Sequence, residues 1–264
     1  GSSPNDYSGS VYIRSGAGVA TSSGSVHVGS GNAGESGVSS PVYFFTGTTS
    51  NGNSGALNVY TGVANNGKGG SVKISVGDGN IGPGGMVAVS AGSSPSSTGG
   101  LIDVKSGYSS KDSSGLFSLS TANAGTDGSS GDIRLHTGST TKTQSGKVSV
   151  VTGNSDNSQS GDIVLSVGTG NGRLSTGGNV VISAGSTEPE KEPSTGGSIT
   201  VVSGSSSTSE SGWINLSTGT SGTTGKSGTF QVSTGASQAS QSGEIILSSG
   251  SSTKNKAGSI NVGV

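Results

Sequence analysis

The chain has no cysteine, one methionine and one tryptophan, and only 10% of its residues are charged. Without cysteine there are no disulfides, no thiol nucleophile and no thiolate-held zinc. Charge of either sign is scarce. Thirteen Lys and Arg stand against 14 Asp and Glu, for a net charge of −1. This balance offers neither the basic patch that nucleic acid requires nor an acidic tail. No apolar run approaches the ~18 residues that span a membrane, and the opening residues carry no signal-peptide pattern. The many glycines do not form phosphate loops, because no Gly-Lys-Ser/Thr follows a four-residue gap from another Gly. The Asp-bearing nonapeptide of calcium-binding rolls is also missing.

What is abundant is glycine, 52 of 264 residues, together with serine and threonine. Such a composition often marks disorder, but disordered chains are usually rich in charge and poor in β-branched residues. Here Val and Ile recur at strict intervals, which indicates an ordered repeat. The unit is Ser or Gly, then Gly, any residue, an apolar residue, any residue, a second apolar residue, any residue, then a small residue and Gly. Two clear copies are Ser160-Gly161-Asp162-Ile163-Val164-Leu165-Ser166-Val167-Gly168 and Ser242-Gly243-Glu244-Ile245-Ile246-Leu247-Ser248-Ser249-Gly250.

The first Gly of each copy serves as an anchor. Anchors fall at positions 9, 24, 40, 55, 70, 85, 100, 115, 131, 146, 161, 178, 197, 212, 228, 243 and 258, all Gly except Ser40. The second residue after each anchor is always apolar, as in Val26, Val42, Ile102, Ile133 and Ile245. So is the fourth, as in Val28, Phe44, Val104, Leu135 and Leu247. A spacing of two puts both side chains on one side of an extended segment. The sixth position is Ser, Thr, Val or Ala, the seventh is Gly except at Ala122, and the ninth is small. Small residues at fixed positions predict close backbone approach.

Every copy has the same polarity, and fifteen residues leave little room for a helix. Stacking like on like predicts an all-β fold: a single-stack parallel β-solenoid (a β-helix) of about 17 coils of about 15 residues. Inward Val, Ile and Leu columns would meet the small residues of the opposite wall. The whole chain, 1–264, is expected to form one repeat domain with loop insertions near 168–177 and 186–195. The second insertion holds Glu188-Pro189-Glu190-Lys191-Glu192-Pro193, which cannot continue a ladder. No capping helix is visible at either end. The expectation is therefore uncapped ends that pair with flanking repeats or with other copies.

Candidate chemistry is thin, and no catalytic residue, metal site or cofactor is expected. His27 and His136 lie seven repeats apart and read as surface residues. Asp132, Lys147 and Asp162 share one outward column. Two carboxylates two coils apart evoke a glycosidase pair, but the intervening Lys makes a charge-alternating row the better explanation. Exposed apolar residues are more suggestive. Tyr43, Phe45 and Tyr60 point outward on adjacent repeats. Met86, Leu101 and Leu116 form an outward column, and Val151, Val164 and Val181 a looser group. Such clusters on a polar chain predict lateral packing or a partner surface. Trp213 stands alone. Asn215-Leu216-Ser217 is the one glycosylation sequon.

Over the whole chain the repeat resembles the Ser/Gly-rich β-solenoid arrays of large surface proteins, such as adhesin stalks and algal or oomycete extracellular repeat proteins. That resemblance implies a non-enzymatic, extracellular structural role as a stiff stalk, fibre or surface layer. The partners it implies are copies of the same chain, end to end or lateral, or flanking repeats. The chain is also similar in outline to β-solenoid ice-binding proteins. Their ice faces are regular arrays of Thr, however, and the outward third column here reads Tyr12, His27, Tyr43, Asn58, Lys73, Ala88, Asp103. Carbohydrate binding through the outward aromatics is a further alternative.

Overall fold

The computed structural model of the chain describes residues 9–172, 175–187 and 194–263. It divides into two compact units, Gly1–Ile133 and Arg134–Val264.

The fifteen-residue period is written into the backbone as one bend per repeat. In the first unit the bends fall at 19–21, 50–52, 65–67, 80–82, 95–97 and 110–112. In the second they fall at 141–143, 156–158, 207–209, 238–240 and 253–255. Each begins ten residues after its anchor: Gly100 precedes the bend at 110, and Gly243 the bend at 253.

The ninth residue explains many of these bends. A serine there accepts hydrogen bonds from backbone amides two or three residues on. Ser94 accepts from Ser97 N–H at 3.0 Å, Ser109 from Asp112 N–H at 3.0 Å, and Ser206 from Ser209 N–H at 2.9 Å. Ser237 and Ser252 do the same for Ser240 and Asn255. Repeats of sixteen residues, anchored at Gly24, Gly115 and Gly212, solve the bend differently. Each inserts a Gly-x-x-Gly turn closed by a backbone bond: Gly37 to Gly34, Gly128 to Gly125 and Gly225 to Gly222. The extra residue is absorbed in the turn.

After the bend, the chain comes back on itself. The anchor N–H of one repeat donates to the carbonyl of the seventh residue of the repeat before it. These bonds are Gly24 to Gly16 (3.2 Å), Gly100 to Gly92 (2.9 Å), Gly115 to Gly107 (2.9 Å), Gly197 to Gly185 (2.9 Å) and Gly212 to Gly204 (2.8 Å). The sixth side chain sits against the same anchor. A Cβ built on Gly100 would lie 3.1 Å from Ala91 Cβ, and one on Gly85 only 2.6 Å from a Val76 methyl. This close approach is why the anchor is glycine.

The β-solenoid expected from the sequence is not what the chain forms. Among the described residues there is no β-strand and no helix. The β-helix reading fails with it, as do inward columns packed on an opposite wall. In five repeats a physical reason is visible in where the anchor amide goes. In a solenoid this N–H would bond to the next coil. In the five closed loops it bonds instead to a carbonyl eight to twelve residues back, in the preceding loop of its own chain. The small residues that suggested an opposite wall are occupied in the same way, at bends and anchors.

No described residue is buried, and Ser109, Thr152 and Ser203 are the best covered of them.

Candidate functional site

The surface of each repeat is two-sided, as its alternation requires. The second column is the better covered: Val42 is 44% exposed and Ile102 51%. The fourth column is more open, with Leu135 at 73%. The outward side shows its own alternation through contacts between residues two apart. The Arg14 guanidinium lies 5.6 Å from the Tyr12 ring centroid. Ser25 Oγ and His27 Nε2 are 3.1 Å apart. Lys105 and Asp103 form an ion pair at 2.7 Å. All six are odd-numbered positions of their repeats. Ion pairs this exposed contribute little to stability, so their value is as markers of sidedness.

The sequence-predicted contact residues are all on the surface. Tyr43, Phe45, Tyr60, Met86, Leu101 and Leu116 are each at least 75% exposed. Because the repeats do not stack into coils, Met86, Leu101 and Leu116 share a position in the repeat without being held as a column. The same holds for Asp132, Lys147 and Asp162, whose charge row presupposed stacked coils. Val151, Val164, Val181 and Trp213 are also exposed, as is Asn215. Among the described residues no three His, Asp or Glu side chains gather where a metal ion could sit, and no cavity is found. No helix among them is long and apolar enough to cross a membrane. Arg173, Leu174 and residues 188–193 lie outside the described residues, and with them the charged Pro-rich insertion.

Sequence reasoning missed the loop between the sixth residue and the next anchor. Its chemistry is simple but consistent. Where the sixth residue is Thr, its methyl lies against the anchor, 3.4 Å from a Cβ built on Gly70 and on Gly146. Thr61 and Ser15 also donate their hydroxyls to the anchor carbonyls of Gly70 and Gly24. The fifteen- to nineteen-residue recurrence of this pair, small or β-branched residue against glycine, was the signal available in the sequence.

Comparison with known proteins returned no matching family model, no matching curated protein and no matching solved structure. The residues of the chain must therefore carry the functional reading.

Proposed function

We propose that this chain is a non-enzymatic structural repeat protein whose copies associate through their aliphatic rows to form an extracellular fibre, stalk or layer. One observation carries the reading. Every described repeat places two apolar side chains at fixed spacing, and none of them is buried. Apolar area left in water costs about 25 cal/mol per Å². Exposed aliphatic pairs recurring about every fifteen residues are apolar groups of the kind that mark an interaction site. A partner able to cover them must present apolar groups at the same interval, and another copy does so. The near-balance of 13 cations and 14 anions leaves little repulsion between copies.

The test is sedimentation velocity across a concentration series, with the chain compared to the triple variant Ile133→Ser, Val148→Ser, Ile163→Ser. Covering each half-exposed aliphatic contributes about 1 kcal/mol. The variant should therefore weaken association on the order of a hundredfold. A wild-type chain that stays monomeric at the highest concentration reached would overturn the proposal.

A further inference from the structure

In five bends the ninth-residue serine accepts a hydrogen bond from the amide of the twelfth residue: Ser97, Asp112, Ser209, Ser240 and Asn255. The bends at 50–52 and 65–67 are built without that serine. Their ninth residues are Thr49 and Ala64, and their eleventh and twelfth are Asn51-Gly52 and Asn66-Gly67. Ala64 has no hydroxyl to offer. Thr49 has one, and its Oγ1 lies 3.7 Å from a Cβ built on Gly52. Among the described residues, neither the Gly52 nor the Gly67 amide is hydrogen-bonded.

An asparagine followed by glycine can react with its own backbone. The Gly67 nitrogen attacks Asn66 Cγ. A bond forms between them, the Cγ–Nδ2 bond breaks, and the displaced nitrogen leaves as ammonia with the proton from Gly67. Water then opens the cyclic imide at either carbonyl. One opening leaves aspartate, and the other leaves isoaspartate, whose backbone runs through the former side chain. The step needs no oxidant, metal or enzyme. It needs a following residue with no side chain in the way, an amide nitrogen free to swing toward Cγ, and room for the ring. Gly67 meets all three conditions: its amide is uncapped, both residues are exposed, and nothing lies within 4 Å of a Cβ built on it.

The neighbouring asparagines differ in informative ways. Asn65 shares the bend and the exposure, but the residue after it is Asn66, which carries a side chain. Asn255 has its own amide held by Ser252 and is followed by Lys256. Asn171-Gly172 stands at the tenth and eleventh positions of its repeat, beside residues 173 and 174, which lie outside the described residues. We infer that Asn66 is a site of spontaneous deamidation, exposed to its own backbone because Ala64 stands where other bends have a capping serine. Asn51, with the Thr49 hydroxyl beside its bend, is a slower second site. This inference is independent of self-association. Each event puts a carboxylate in place of a neutral amide, adding a negative charge to a chain whose net charge is −1. The isoaspartate product also lengthens the backbone of the bend.

The test is to hold the purified chain in warm, mildly alkaline buffer and follow each asparagine by peptide mass spectrometry that separates aspartate from isoaspartate. Asn66 should convert first, giving both products, while Asn65 and Asn255 remain amides. Ala64→Ser supplies the missing hydroxyl, and a hydrogen bond of this kind should slow conversion at Asn66 about two- to twelvefold while the Asn51 rate stays as in the parent chain. Asn66→Gln should remove the first acidic species to appear on isoelectric focusing. An Asn66 that survives as long as Asn255 would overturn the site. Equal Asn66 rates in Ala64→Ser and the parent chain would overturn the role given to the absent serine.

Discussion

At the residue scale, the ninth and sixth positions do most to shape the backbone. Ser109 accepts from both Lys111 N–H (3.4 Å) and Asp112 N–H (3.0 Å), and Asp112 in turn accepts from Ser113 N–H at 2.7 Å. Removing that hydroxyl leaves the bend's amides to water. A bond of this kind contributes about 0.5–1.5 kcal/mol. Ser109→Ala should therefore raise the hydrogen-exchange rate of the Asp112 amide roughly two- to twelvefold, with the bend at 95–97 unaffected. An unchanged Asp112 rate would show that the serine does not hold the bend. The ninth position was legible in the sequence as a run of small residues. Its use was not, because smallness is equally compatible with a close wall and with a local hydrogen bond.

At the scale of the loop, the anchor glycine is the decisive element. A Cβ on Gly100 would meet Ala91 Cβ at 3.1 Å and Gly92 N at 3.3 Å, and the backbone cannot yield as a flexible side-chain tip would. A Cβ on Gly161 meets only a Thr152 methyl, at 3.9 Å. Gly100→Ala should thus break the Gly100–Gly92 bond, seen as fast exchange of the residue 100 amide and shifted signals around residues 91–100. Gly161→Ala should leave its loop as it was. Equal responses from the two variants would remove the steric account of the anchors. At the bend of 80–82, Gly82 adopts φ +92°, a conformation that L side chains rarely take. That is a further place where only glycine suits the chain.

At the scale of the whole molecule, the alternation of aliphatics misled about pairing while reporting sidedness correctly. Tyr12 with Arg14, Ser25 with His27 and Asp103 with Lys105 meet across two residues, as alternation predicts. Yet no described residue belongs to a strand. The far-UV circular dichroism of the dilute, unassociated chain should accordingly lack the strand signature. A strong strand spectrum under those conditions would overturn this description of the fold. The candidate contact residues Tyr43, Phe45, Tyr60, Met86, Leu101 and Leu116 were legible in the sequence as apolar, and they are exposed along with the aliphatics expected to face inward. Their grouping into a surface was not, since it depended on coils that do not form.

The sequence by itself determined the period, the two-sidedness of each repeat and the places where only small residues fit, because these follow from side-chain size and the geometry of a single chain. The tertiary structure alone decided where the backbone hydrogen bonds go. An anchor amide such as Gly100 N–H is equally able to reach another coil or the carbonyl of Gly92. That choice turns on the distance between segments, which no pattern of residue types states.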